Sequence, residues 1–313
     1  MKAIIIREFG GTDKLEYTTV PEPVIKENEV LIKVHAIAIN PVDVKTRAGK
    51  GMAGRMKDEL PITLGWDVSG TVTAAGAGVT AFVVGDEVFG MVNFPGHGRA
   101  YAEYVAAPAA HLAKKPANVT HQQAAATTLA ALTAYQGLFQ QANLKKGQRV
   151  LVHAAAGGVG HFVVQLARHA GAYVIGTSSV ANKDFVLGLG ADEHVDYRNQ
   201  RFEEVVNDVD LVFDGVGGEL ISRSISTVKP GGMIISIPTG VPAEIAETAK
   251  EKGVKAFFFL VESNGRDMEA LAGLLEQDII RPYVNHFDFS QMDIAHQQQE
   301  TGSTRGRIVL TLP

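Results

Sequence analysis

The stretch that decides the fold is Val150-Leu151-Val152-His153-Ala154-Ala155-Ala156-Gly157-Gly158-Val159-Gly160-His161-Phe162-Val163-Val164-Gln165-Leu166-Ala167. Its apolar start reads as a buried strand, its glycines as a tight turn, and the residues after Gly160 as an amphipathic helix. In that order, free backbone N–H groups and the positive end of a helix converge where a pyrophosphate can sit. Against the G-x-G-x-x-G pattern of dinucleotide sites, the first glycine is Ala155. Gly157 permits close approach of backbone to phosphate, Gly160 permits close helix packing, and Gly158 and Val159 complete the turn. The same residues also suit a strand-to-helix turn that binds nothing, so the surroundings must decide.

Those surroundings alternate. Short apolar runs at Arg149 to His153, Tyr173 to Thr177, Val209 to Asp214 and Met233 to Ile237 are separated by helical segments. This order predicts a parallel sheet. Upstream, Ile4 to Ile6, Val30 to Ile39, Val68 to Val72 and Glu87 to Val92 are β-branched runs divided by Gly and Pro. After Phe257 come a helical stretch, Arg266 to Glu276, and a closing apolar strand, Arg307 to Leu312. The simplest architecture is α/β, with a Rossmann doubly wound parallel sheet inserted in a β-rich domain formed by both chain ends. The outer domain takes residues 1–122 and 262–313, and the inner one 123–261.

Composition narrows the chemistry. The 313 residues carry 29 Lys and Arg against 34 Asp and Glu, a net charge of −5. With no basic stripe, nucleic acid is disfavoured as a primary partner. The chain has no cysteine, which removes disulfides, thiolate nucleophiles, iron–sulfur clusters and every cysteine-ligated zinc site. The N-terminal apolar run at Ala3 to Ile6 is too short for a secretory segment and reads as the first strand of a cytoplasmic protein. No stretch has the apolar continuity of a membrane span.

Ala154 to Gly160, with Leu132-Thr133-Ala134-Tyr135, Gly190-Ala191-Asp192-Glu193-His194-Val195-Asp196-Tyr197, Asp214-Gly215-Val216-Gly217-Gly218 and Gly306-Arg307-Ile308-Val309-Leu310, resembles the quinone oxidoreductase (zeta-crystallin-like) branch of the medium-chain dehydrogenase/reductases. The likeness spans almost the whole chain, with the motifs in order. It implies a GroES-like catalytic outer domain, NADPH in the cleft beside the Rossmann domain, a small quinone or enone as substrate, and a homodimer or homotetramer. Zinc-dependent relatives hold their metal at positions that here look like Asn40, Trp66 and Leu129. Such a set makes no tetrahedral zinc shell. Without that Lewis acid, a conjugated acceptor that spreads charge itself is favoured.

Asn40-Pro41-Val42-Asp43-Val44-Lys45-Thr46-Arg47-Ala48-Gly49 resembles the family's N-x-x-D-x-x-x-R-x-G active-site segment. By that match Asn40 donates hydrogen bonds near the nicotinamide ribose or the substrate carbonyl, and Asp43 and Arg47 hold the loop. A Pro-initiated turn with Asp43 capping a short helix fits the same residues. Many quinone reductases carry Tyr where this chain has Lys45, which points instead to an enone or acrylate acceptor. A surface lysine is the plain alternative. Asn40 and Lys45 are the catalytic candidates.

The cofactor candidates are Asn40, Asp43, Thr133, Ala155, Gly157, Gly158, Val159 and Gly160, Gly215 and Val216, Ile237, Phe257 and Phe259, and Arg305. Thr133 also suits back-bonding within a helix, and the Phe257 segment suits a buried strand. After the second Rossmann strand stands Gly176-Thr177-Ser178-Ser179, with no Asp or Glu to bind the ribose hydroxyls and repel a 2′-phosphate. Ser178, Ser179 and Lys183 are therefore read as a 2′-phosphate pocket, to which the family resemblance adds Tyr197, although the serines also suit a helix cap. Two rival functions stay open: a metal-independent alcohol or aldehyde dehydrogenase of this fold, and a non-catalytic NADPH-binding protein, structural or RNA-binding.

Overall fold

The β-branched runs of the first third form strands that are buried over most of their length. In chain order the elements are β1 (Lys2–Ile6), β2 (Glu16–Thr19), β3 (Glu29–Ile39), α1 (Pro41–Arg47), β4 (Ile62–Thr63), β5 (Asp67–Ala75), β6 (Glu87–Met91), β7 (Tyr104–Pro108), β8 (Leu112–Lys114) and α2 (His121–Tyr135). The alternating region supplies β9 (Arg149–Val152), α3 (Gly160–His169), β10 (Tyr173–Ser178), α4 (Lys183–Gly188), β11 (Glu193–Asp196), β12 (Val209–Asp214), α5 (Glu219–Ser224), β13 (Val228–Ser236), α6 (Ala243–Glu251) and β14 (Lys255–Phe258). The chain ends with α7 (Gly265–Glu276), β15 (Val284–Asp288), α8 (Met292–Glu300) and β16 (Arg307–Thr311). This computed structural model describes residues 1–312. They fall into two units, Met1–Leu132 with the segment from Glu262 onward, and Thr133–Val261.

In the first unit the long strand β3 is the spine. A seven-stranded sheet runs β15-β16-β3-β5-β6-β8, with β7 also paired to β3. The last strand, β16, lies antiparallel to β3, pairing Ile308 with Ile39 and Leu310 with Ile37. The two ends of the chain thus share one sheet. Ala36 and Ala38 of β3, Val309 of β16 and Ala125 and Ala126 of α2 make one buried cluster. Their small side chains let the helix backbone lie close to the sheet.

The second unit is the expected doubly wound sheet, all parallel, in the order β11-β10-β9-β12-β13-β14. Leu151, Ile175, Val212 and Ile234 from its four central strands are fully buried in one core. Apolar runs without alternation give this outcome, because helices cover both faces of a parallel sheet.

Candidate functional site

All six strands of the second unit are parallel, so their carboxyl ends share one edge. The strand order reverses between β9 and β12, which opens a crevice at that edge. Ala155 to Gly160 follow β9, Ser179 follows β10, Tyr197 follows β11, Gly215 and Val216 follow β12, and Ile237 follows β13. Phe257 lies in β14 and Phe259 just beyond it, where its N–H donates to Ser236 O. The topology therefore lines up residues that lie far apart in the chain. Thr133 is buried in α2.

The turn after β9 is closed by backbone contacts. Ala155 N donates to Thr177 O at 3.0 Å, and Gly157 N to Ala154 O at 2.8 Å. A Cβ on Gly160 would lie 2.1 Å from Ala154 O, so the first residue of α3 must be glycine. The left-handed residue is Ala154, at φ 53°, which no sequence signal marks. The buried carboxylate of Asp214 accepts from Val216 N and Gly217 N and shapes the loop after β12. This cradle of backbone N–H groups at a helix N-terminus fits a pyrophosphate.

At the end of β10 there is no carboxylate. Ser178 Oγ donates to Ser179 O, so its oxygen accepts from His194 Nε2, 2.8 Å away. Burial holds the His194 ring below its ordinary pKa; Asp196 opposes this and Lys183 reinforces it, which places Lys183 in the same neighbourhood. The Ser178 hydroxyl is thus committed inside the protein. Ser179, exposed Lys183 and Tyr197, with the Arg198 guanidinium 5.8 Å from the Tyr197 ring centroid, are the groups that face outward. Ser179 occupies the cap position of the turn before α4, but its side chain makes no cap bond.

In the first unit, Asn40 follows β3 and stands at the N-cap of α1, with Pro41 as the first helical residue. Asn40 N donates to Asp43 Oδ2 at 2.7 Å. Its Nδ2 donates to Asp67 Oδ2 at 2.9 Å, while Leu129 N and Arg307 Nη2 donate to the same carboxylate at 3.0 and 2.8 Å. Asp67 and Arg307 are fully or almost fully buried. Each is the other's neutralising charge, so Asp67 holds its carboxylate form although burial pushes its pKa up. Asn40 must then turn its NH2 toward Asp67. The atom left over is Oδ1, a buried acceptor without a partner. The Asn40 site is thus a hydrogen-bond acceptor, such as a ribose hydroxyl needs.

Lys45 lies two residues beyond Asp43 on α1 and is half-buried. Arg305 is half-buried with its guanidinium 5.7 Å from the Tyr283 ring centroid. Both belong to the first unit, as do Asn40 and Asp43, whereas the remaining candidates belong to the second. A groove of about 750 Å³ in the first unit, bordered by Val24, Glu59, His97, Arg99 and Tyr104, contains none of the candidate residues. Sequence reasoning passed over Asp67, Arg307, Tyr101 and His296. The available signal was a charge in a strand of otherwise buried residues: Asp67 beside Val68, Arg307 beside Ile308-Val309-Leu310.

At the positions matched to zinc ligands, Trp66 is buried with Nε1 donating to Gly96 O at 2.6 Å, and the Leu129 backbone N–H donates to Asp67. Among the described residues no group of three His, Asp or Glu side chains is arranged to hold a metal ion. No described helix is long and apolar enough to cross a membrane.

Two buried histidines set an acid limit. His153, bonded to Thr177 and Ser224, and His296 are each held down to about 3, by burial first and then by Arg223 and Arg47 respectively. The unfolded chain takes up these protons near the ordinary value of 6.5, the native state only near 3. Stability is therefore present above pH 6.5 and is lost as pH falls. Between pH 6.5 and 5 we expect a loss of about 2 kcal/mol per histidine. Urea unfolding across that range is the check, and His153→Gln should flatten the slope.

Residues 26–117 match the family model for the alcohol dehydrogenase GroES-like domain, and residues 189–310 the model named zinc-binding dehydrogenase. The second match does not include Asn40, Trp66 or Leu129. The chain is 36% identical to a 2-methylene-furan-3-one reductase of Solanum lycopersicum, over 99% of this chain and 79% of that one. It is 35% identical to a chloroplastic NADPH-dependent alkenal/one oxidoreductase of Arabidopsis thaliana, with the same coverage. Among solved structures, the quinone oxidoreductase of Coxiella burnetii superposes with a TM-score of 0.95 at 39% identity, covering 100% of this chain and 99% of that one.

Proposed function

Because the chain belongs to the quinone oxidoreductase branch of the medium-chain dehydrogenase/reductases, we propose that it is an NADPH-dependent reductase that delivers hydride to a quinone or an α,β-unsaturated carbonyl without zinc. The observation that carries this reading is the closed turn at Ala154 to Gly160, on the carboxyl edge of a parallel sheet. When bound, NADPH supplies the hydride. The chain's own task is to bind, orient and exclude water. The N-terminus of α3 and the 155–160 turn take the pyrophosphate, and the Asp214-shaped loop and Ile237 present backbone along the same edge. Asn40 Oδ1 accepts a ribose hydroxyl, which leaves that side chain oriented by Asp67. Hydride added to one end of a conjugated acceptor leaves an enolate or hydroquinone anion, and one proton completes the reduction.

The alkenal/one and furanone reductases among the relatives favour enones, and Lys45 suits them, since an ammonium stabilises an enolate oxygen or a substrate carboxylate. Lys45→Met should lower kcat/KM for the best acceptor by roughly ten- to a hundredfold. An unchanged value returns Lys45 to a surface role. For the oligomer we propose edge-to-edge pairing: β14 is an open edge of the six-stranded sheet and carries Phe258, 42% exposed.

Purified protein, NADPH and a panel of quinones, enals and enones, assayed in excess chelator, tests the whole reading. We expect acceptor-dependent NADPH oxidation that the chelator leaves intact, and elemental analysis showing no stoichiometric zinc. Activity lost with a tightly held zinc would overturn the metal-free mechanism. No oxidation with any acceptor would favour the non-catalytic NADPH-binding role.

A further inference from the structure

We propose that His194 is a specificity-determining residue for the phosphorylated cofactor: hydrogen-bonded to Ser178 in the neighbourhood of Lys183, it takes up a proton when a 2′-phosphate binds and adds a second positive charge to that of the lysine. The proposal rests on the reading of Ser179, Lys183 and Tyr197 as the outward-facing 2′-phosphate pocket.

Strand register sets the place of the ring. In the parallel pairing of β10 with β11, His194 stands beside Gly176 and Asp196 beside Ser178. Paired residues share a face of the sheet, as do residues two apart in one strand, so these four lie on one face. A Cβ on Gly176 would come 2.6 Å from Val186 of α4 and 2.9 Å from Ala155 of the glycine turn. That face is therefore the one covered by α4 and the turn after β9. The donors then fix the tautomer. Ser178 Oγ gives its one hydrogen to Ser179 O at 3.1 Å, so in the 2.8 Å contact with His194 Nε2 it accepts. Nε2 carries the proton of the neutral ring, and Nδ1 is the nitrogen left to titrate. No described residue bonds to Nδ1, and it is not enclosed. A second proton enters there without breaking any bond that the ring makes.

The charges that act on the ring are Asp196 of its own strand and Lys183 of α4, while β10 contains no charged residue and offers Ser178. Asp196 is already engaged: Oδ1 accepts from Arg198 N at 3.2 Å and Oδ2 from Asn199 Nδ2 at 2.6 Å. The Lys183 ammonium has no carboxylate or hydrogen-bond partner among the described residues. Burial first, and Lys183 with it, keep the ring below the ordinary value of 6.5, against the pull of Asp196. Beside a phosphate dianion the balance reverses, because that charge offsets the lysine's repulsion and favours the imidazolium directly. Over the pH window between the lowered and the raised value, His194 is neutral in the empty protein and charged in the complex, so binding takes up a proton. The gain is present on the acid side and is lost as pH rises through the raised value. A cofactor with a hydroxyl at that position gains nothing.

The test is calorimetric titration of wild type, His194→Gln and Lys183→Ala with NADP+ and NAD+, oxidised cofactors that are stable in acid and differ only in the 2′-phosphate. The titrations run from about pH 8.5 to about pH 5.5, a span that brackets ordinary histidine titration. Buffers of different ionisation heat report the protons exchanged. Gln keeps a donor for Ser178 and cannot titrate. Wild type should take up a fraction of a proton with NADP+ near neutrality and none with NAD+. Toward the acid end its preference for NADP+ over NAD+ should exceed that of His194→Gln by about three- to tenfold, the effect of moving one histidine by up to about one pKa unit. The phosphate's own second ionisation, near about 6, acts alike in both proteins and cancels in that comparison. At the alkaline end the two should agree, with NAD+ affinity the same throughout. Equal pH dependence in wild type and His194→Gln, with the preference still removed by Lys183→Ala, overturns the role of His194 and leaves the phosphate pocket standing. A His194→Gln protein that loses NAD+ and NADP+ affinity together reduces His194 to a structural tie between β10 and β11. A preference that Lys183→Ala does not lower overturns the pocket, and this proposal with it.

Discussion

Replacing Arg307 by Met lowers the stability of the first unit by about 3–5 kcal/mol at neutral pH, the cost of leaving a buried carboxylate without its counter-charge. Asp67 is wholly buried and takes three donors, of which Arg307 Nη2 at 2.8 Å is the only charged one. Without it, Asp67 must fold protonated. Its folded pKa then lies far above the unfolded value, so the variant's deficit shrinks toward acid pH and grows as pH rises. Arg307 Nε also donates to Ala126 O of α2, a bond that Met loses as well. Adding Asp67→Asn removes the stranded charge and keeps one acceptor, with the amide oxygen toward Leu129 N; its NH2 then faces Asn40, whose side chain must turn its oxygen toward it. The double variant should recover most of the loss, an interaction energy that a double-mutant cycle in urea reads directly. A single-variant loss under about 1 kcal/mol, additive with Asp67→Asn, would show that water reaches the pair.

The second large effect is cofactor choice. NADPH should be preferred over NADH by roughly 10- to 1000-fold in kcat/KM, the range that two or three charge-assisted hydrogen bonds at a partly exposed site supply. No acid stands at the end of β10 to repel a 2′-phosphate, and Lys183, Tyr197 and Ser179 face outward there. The geometry shifts weight within that set. Ser178 is held by His194 and Ser179 O, so Ser178→Ala should act mainly on the β10–β11 edge, and Lys183→Ala should carry the discrimination. Equal use of NADH, or a Lys183→Ala enzyme with undiminished preference, would show that the phosphate is bound elsewhere.

The sequence by itself determined the parallel sheet and its glycine turn. Apolar runs of strand length separated by helical segments have one common solution, and a glycine at position 160 reports a contact between consecutive elements, made within six residues. It also determined the absence of an acid after β10 and of thiolate chemistry anywhere. The return of the last strand to the first third was legible from composition, because β16 had to bury its apolar residues in a sheet. What only the tertiary structure decided is the polar core around Asn40. Asp67, Arg307, Tyr101, Arg47 and His296 come from distant parts of the chain, Arg47 and its partner His296 standing 249 positions apart, and nothing local in their neighbours says that they meet. A charge in a strand of apolar residues says that Asp67 and Arg307 need partners, but not which. Whether an Asn side chain presents a donor or an acceptor depends on which partner takes its other end, and that partner, Asp67, is fixed by Arg307 arriving from the far end of the chain. Long-range burial, rather than local pattern, sets the charge state and hence the direction of every hydrogen bond in that site.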